Sequence, residues 1–335
     1  MKLFQITQTI STSFAMQFTS FILECKKEKE NALLLINANI GADLDAISQI
    51  IETCKDSKVH ISAIGMGKLS PLAAIIFSMA DVRILLPETK VILNIKFAKY
   101  YQRFKIPKNV FKKNAIENIW EIESSDFEQF EITNCSSDNW MKLIEESLGN
   151  NTVNFSPFFE FDTDFNEITT LEVIKFLVQC KMNKTDATIL LHSPGGTWEQ
   201  LKLIIYAYKM SEVKLRVIGI GRVASCAAIL FCIADTRILV PNTTFLIHFT
   251  LKIYDSPSAN LYLPFNQLEK DYKALLASNN QMIELLSQKT ELSPDIITQK
   301  CSSGDWILTK KELKTFKIVN APSKGWTNII VKIIS

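Results

Sequence analysis

The sequence predicts an α/β protein built from two tandem domains of one kind, residues 1–150 and 151–335. Three observations carry this. Continuous apolar strands alternate with helix-length amphipathic segments, the pattern of parallel βαβ units buried on both faces. The chain matches itself at a spacing of about 155 residues, the size of a domain and not of a solenoid unit. Its 335 residues are 47% hydrophobic and 21% charged, enough apolar material for two ordinary cores.

The internal match is specific. Ile64–Phe77, IGMGKLSPLAAIIF, lies over Ile218–Phe231, IGIGRVASCAAILF. Ala80–Pro87 lies over Ala234–Pro241, and LLLINANIGA (Leu33–Ala42) over TILLHSPGGT (Thr188–Thr197). Further on, Cys135–Trp140 lies over Cys301–Trp306.

Each half opens with a strand, Leu3–Ile10 or Phe158–Asp162. A helix follows, Thr12–Cys25 or Thr169–Cys180. Then come a strand, a glycine turn, a helix, a strand, a second turn, a wholly apolar helix and a strand. Pro264–Gln288 carries Leu268, Tyr272, Leu275, Leu276, Met282, Leu285 and Leu286 near helical spacing, so a long amphipathic helix is expected there. Thr290–Lys300 reads as another helix, and Thr309 begins a last one. The first half is about twelve residues shorter in this region, and Lys99–Phe130 shows little periodicity.

Composition excludes several classes. A net charge of +2 gives no electrostatic case for nucleic acid or a membrane surface. The longest apolar runs, such as Cys226–Ala234, are about half a membrane span and read as buried helices. Seven cysteines, scattered without CxxC spacing, point to a reducing compartment and away from disulfides or zinc. Met1–Thr7 has no apolar stretch behind it, so no signal peptide is expected. A soluble cytoplasmic protein without a cofactor or metal follows.

Chemistry concentrates between Leu190 and Phe249. One strand runs into Ser193-Pro194-Gly195-Gly196, a second into Gly219-Ile220-Gly221, and a third ends on His248. Strand ends are where α/β folds assemble their sites. Ser225 opens an apolar helix, whose free N–H groups and dipole suit a developing oxyanion. His248, one of three histidines, supplies a base for a serine. Asp305, in a loop before a helix, supplies a carboxylate able to fix the imidazole tautomer. Gly195-Gly196 allows close backbone approach and a second oxyanion donor.

Taken together, these motifs make residues 156–322 resemble ClpP, the proteolytic subunit of the Clp protease. The resemblance rests on SPGG (Ser193–Gly196), the G-x-x-A-S segment (Gly221–Ser225), R-x-x-x-P-N-x-x-x-x-I-H (Arg237–His248) and D-x-x-L-[ST]-x-x-E (Asp305–Glu312). It implies Ser225 as nucleophile, His248 as base and Asp305 as orienting acid. It implies the Gly196 and Cys226 N–H groups as oxyanion donors. It also implies a protruding handle helix at Pro264–Gln288, ring-forming oligomers with itself or another ClpP subunit, polypeptide substrates and an AAA+ unfoldase as partner. The sequence departs from the family's pattern at His192 (usually Asn), Cys226-Ala227 (Met-Gly), Phe249-Thr250 (Gln-Pro) and Lys317–Asn320 (Gly-Leu-Val-Asp). The N-terminal extension that lines the family's axial pore is expected to be short or absent.

In the first half Pro71 stands at the nucleophile position with Ser70 before it, Asn94 at the histidine position and Asn139 at the aspartate position. Ala38-Asn39-Ile40-Gly41 replaces SPGG. The expectation is an ATP-dependent Clp-type serine endopeptidase subunit with one inactive and one competent half. The alternative is a non-catalytic or regulatory subunit that co-assembles with a separate ClpP. A crotonase-type thioester enzyme would not need all three of Ser225, His248 and Asp305. A Ser/Lys signal-peptide peptidase would usually carry a membrane anchor.

Overall fold

Five consecutive apolar residues, Ala32–Ile36, form a strand whose every side chain is buried. The computed structural model surrounds such strands with parallel neighbours and helices, a mixed α/β fold. It describes residues 1–38, 44–101, 103–107, 110, 118–122, 124–149, 155–251 and 265–334. The chain divides into two compact units, Met1–Asn154 and Phe155–Ser335.

In the first unit β1 (Lys2–Ile6), β2 (Ala32–Ile36), β3 (Ile61–Gly65) and β5 (Val82–Leu85) form a parallel sheet in that order. A smaller sheet joins β4 (Lys68–Leu69), β6 (Lys90–Asn94) and β7 (Ile119–Ile122), the last pair antiparallel. The helices are α1 (Thr12–Glu28), α2 (Leu44–Ser57), α3 (Pro71–Met79) and α4 (Trp140–Leu148). Local chemistry sets their ends. The Ser11 hydroxyl caps α1 by accepting from the Phe14 N–H, and Lys29, in the left-handed region, closes its other end.

In the second unit one sheet runs β13 (Trp306–Ile307), β12 (Thr244–Ile247), β10 (Leu215–Ala224), β9 (Ala187–Ser193) and β8 (Phe158–Phe161), with β11 (Thr236–Leu239) on β10. The helices are α5 (Glu167–Met182), α6 (Trp198–Ser211), α7 (Cys226–Ile233), α8 (Phe265–Lys289), α9 (Pro294–Cys301), α10 (Lys310–Thr315) and α11 (Trp326–Ile334). Every residue of α7 is buried, as the unbroken apolar run requires. Helix α8 matches the long amphipathic segment to within a residue at each end. Helix α11 was not anticipated, because a short apolar run such as WTNIIVKII reads equally well as a strand. Among the described residues no helix is long and apolar enough to cross a membrane.

The two units share specific bonds. Asp81 accepts from the Ile61 N–H at 2.9 Å, and Asp235 from the Leu215 N–H at 2.9 Å. The buried Arg83 guanidinium donates to the Ala80, Glu131 and Ile132 carbonyls. Arg237 donates likewise to Ala234, Lys317 and Ile318, and also to Lys289. Each arginine's own N–H is met by an asparagine carbonyl at 2.7 Å, Asn134 or Asn320.

These bonds correct one sequence correspondence. The offset is 154 residues from Arg83 to Arg237 but 186 from Asn134 to Asn320. Helices α4 and α11 keep the offset of 186 at both ends, as do the edge-to-face pairs Trp120–Phe130 and Trp306–Phe316. Cys135–Trp140 therefore does not correspond to Cys301–Trp306; Trp120 corresponds to Trp306, and Ile119, not Asn139, to Asp305. The second unit carries 32 more residues between these anchors, the difference of the two offsets, where about twelve were expected. The short identical string CSS masked the true register, which hydrogen-bonded backbone defines and residue identity does not.

Candidate active site

Ser225 sits between the end of β10 and the start of α7 with φ +57 and ψ −124. A non-glycine residue there is strained, and such strain persists where surrounding structure holds it. Two contacts hold it. The Ser225 N–H donates to the Leu246 carbonyl of β12 at 3.0 Å. On the other side Gly195 packs so closely that a Cβ there would lie 2.5 Å from the Ser225 Cβ and 3.0 Å from its Oγ. Gly195 (φ +113) and Gly196 (φ +148) are thus required by conformation and by space.

Strand register brings the remaining groups to the same edge. Ala224 of β10 pairs with Leu246 of β12, which leaves Ser225 one step from the end of that ladder. Ile247 of β12 pairs with Trp306 of antiparallel β13, so the next position along joins His248 to Asp305. Strand β13 is anchored by the Trp306 indole N–H, which donates to Glu312 at 3.2 Å. Glu312 also closes a capping box with Thr309 at the start of α10.

Register brings these residues to one edge, but no hydrogen bond links the Ser225, His248 and Asp305 side chains. His248 Nδ1 lies 2.6 Å from the Phe249 carbonyl oxygen. A carbonyl only accepts, so Nδ1 carries the proton and Nε2 of the neutral ring is free to act as a base. Asp305 is exposed and has no hydrogen-bond partner among the described residues. Ser225 is partly exposed, and its hydroxyl lies against the Cys226 thiol. Burial pushes that thiol up to about 12, more than the Ser225 hydroxyl pulls it down. The Gly196 and Cys226 N–H groups donate to no other backbone group among the described residues, and both lie against the Cys226 sulfur.

One contributor was underrated by sequence reading. His192 Nδ1 lies 3.1 Å from both the Arg222 N–H and the Ile220 carbonyl oxygen, accepting from the first in one tautomer and donating to the second in the other, beside the register shift between Gly219 and Val223. Gly221 leaves room for it: a Cβ there would be 2.6 Å from Nδ1. The imidazole thus pins the bulge that leads into Ser225. Its signal was its place before SPGG, where it stands alone among the three histidines.

At the matching place in the first unit the helix begins one residue earlier. Ser70, at φ −61, caps α3 by accepting from the Ala73 N–H, and Pro71 is its first residue. Asn94 accepts from the Lys96 N–H. The buried Tyr101 fills the space between them: its hydroxyl donates to the Pro71 carbonyl at 3.2 Å and accepts from the Asn94 N–H at 3.1 Å. Residues 39–41, part of the SPGG counterpart, lie outside the described residues. Among the described residues no cluster of three or more His, Cys, Asp or Glu is arranged to hold a metal ion.

A strand-end serine, an imidazole and a carboxylate lie at neighbouring strand ends of one α/β unit, the groups a serine hydrolase needs. Residues 161–321, within the second unit, match the family model for the Clp protease. It is similar to proteolytic subunit 2 of the ATP-dependent Clp protease of Pseudomonas aeruginosa, 27% identical over 134 residues, covering 39% of this chain and 63% of that protein. It is 25% identical over 164 residues to proteolytic subunit 3 of Rhizobium meliloti, covering 48% of this chain and 80% of that protein. The match thus spans less than two thirds of the first relative's length. Among solved structures, a ClpP1 variant from Listeria monocytogenes aligns with a TM-score of 0.42 at 24% identity, over 50% of this chain and 90% of that one.

Proposed function

We propose that the second unit is a Clp-type serine endopeptidase and that the first is a copy of the same domain without a working site. The placement of Ser225, His248 and Asp305 at neighbouring strand ends by register, beside the Gly196–Cys226 turn, supports this reading. His248 Nε2 takes the hydroxyl proton as Ser225 Oγ attacks a peptide carbonyl carbon. The oxyanion sits between the Gly196 and Cys226 N–H groups. Collapse breaks the C–N bond, and His248 returns the proton to the leaving amine. Water then hydrolyses the acyl-enzyme by the same steps. In the working arrangement His248 exchanges the Phe249 carbonyl for the Asp305 carboxylate, which stabilises the imidazolium.

The substrates are unfolded polypeptides. The protein assembles into rings, with itself or with another ClpP subunit, and is fed in the cytoplasm by an AAA+ unfoldase that consumes the ATP; the relatives' names support the ATP-dependent setting. The chain itself uses no cofactor. Helix α8 is the counterpart of the family's handle; among the described residues the first unit shows no helix of that length.

A fluorophosphonate probe tests the reading. It labels the wild-type chain at Ser225 and leaves Ser225→Ala unlabelled; an unlabelled wild type in its assembled state overturns it. That second outcome is what the regulatory reading expects, a subunit without turnover that co-assembles with a separate active ClpP. It is favoured by the 2.6 Å bond from His248 to Phe249 and by the unpartnered Asp305.

A further inference from the structure

The residue after the candidate nucleophile contributes more than its backbone. Cys226 is 5% exposed, and its Sγ–H donates to the Gly196 carbonyl at 3.3 Å. The thiol therefore ties the start of α7 to the SPGG turn. Both ends of this tie belong to the two residues whose N–H groups lie against the same sulfur. The Gly196 carbonyl shares its residue with one donor, and the Cys226 side chain shares its residue with the other.

Other contacts fix the turn only from behind. The Gly195 N–H donates to Ser193 Oγ at 3.1 Å, and the Gly195 carbonyl accepts from the Phe165 N–H at 2.7 Å. The Phe165 carbonyl accepts from the Thr197 N–H at 3.1 Å. These set the turn against Phe165. Among the described residues only the Cys226 thiol bonds it to the α7 side. The Gly196 N–H lies on the peptide whose carbonyl Phe165 holds, and the thiol holds the next peptide through the Gly196 carbonyl, so the two together fix its orientation.

We infer that the Cys226 side chain is a positioning residue that sets the separation of the two oxyanion donors, Gly196 N–H and Cys226 N–H. The inference rests on the peptidase reading above. A thiol is a weak donor, and burial keeps this one protonated, so it serves as a donor and not as a nucleophile.

The test uses the full chain, a fluorogenic peptide, and a peptide boronate that mimics the tetrahedral intermediate. Cys226→Ala lowers kcat by about 10-fold, less than the loss of a whole donor, with KM within about 2-fold. The boronate Ki weakens in proportion to kcat. Cys226→Ser, whose hydroxyl reaches the same carbonyl, recovers most of both. Wild-type kcat and Ki in Cys226→Ala overturn the inference and leave the peptidase reading intact. So does a variant whose KM and melting temperature change while Ki does not. A wild type that hydrolyses no peptide and binds no boronate overturns the peptidase reading, and this inference with it.

Discussion

The two units agree where the backbone needs a partner and differ where a substrate would. Arg83 and Arg237 gather matching carbonyls, and Asp81 and Asp235 cap matching strands. Such buried polar networks are costly to leave half-made, so they persist with the fold. At the strand ends the same register holds, yet the positions of Ser225 and His248 are occupied in the first unit by Pro71 and Asn94. The frame is thus kept where the candidate groups are not, and a buried network alone is no sign of activity.

The largest break in that symmetry is chemical. Ser225→Ala and His248→Ala each lower peptide hydrolysis by about 10³-fold or more, whereas Ser70→Ala leaves it unchanged. Next comes Gly195→Ala, whose Cβ would meet Ser225 at 2.5 Å. It abolishes probe labelling, while Gly149→Ala, with nothing within 4 Å, is expected to cost only about 1 kcal/mol at its φ of +63.

Removal of either arginine should hurt both units alike. Arg83→Met unpairs the Ile132 and Glu131 carbonyls, Ala80 keeping Arg103, and Arg237→Met removes bonds to four carbonyls; each lowers unfolding stability by about 2 kcal/mol or more, read by denaturant titration. Tyr101→Phe tests a contact described only in the first unit. It unpairs the Asn94 N–H and costs about 1–2 kcal/mol without altering hydrolysis.

The smallest effect is acid sensitivity. Burial raises Asp235, but the Tyr208 hydroxyl, the Leu215 N–H and Lys289 together hold its carboxyl below the usual range. Burial raises Asp81 too, and the Ile61 N–H and Arg103 overcome it. A carboxylate depressed in the folded state contributes stability fully present above the unfolded value of about 3.9 and lost as pH falls through the folded one. Melting temperature should therefore fall below about pH 4, and less steeply in Asp235→Asn.

Most of the frame was legible because apolar periodicity reports burial directly: Ala32–Ile36 and the all-apolar α7 were read as a strand and a buried helix. The candidate residues were legible because Ser225 and His248 lie at elements whose ends the repeat marks twice. The counterpart of Asp305 was not, since it depends on β-pairing across a connection of variable length. Cross-strand register leaves little trace in one sequence. Nor was the Tyr101 plug, which comes from a stretch with no periodicity to betray its burial.

Pro71 gives the comparison a direction. Proline locks φ near −65°, while the residue at Ser225 needs φ +57. Replacing Pro71 by serine would restore a hydroxyl but not the bend that presents it. The Ser70 cap would have to be released and Tyr101 withdrawn in the same step. On the proposed reading each reversal alone costs stability and returns no activity, so no single substitution builds a site at Pro71, and the barrier works as a ratchet.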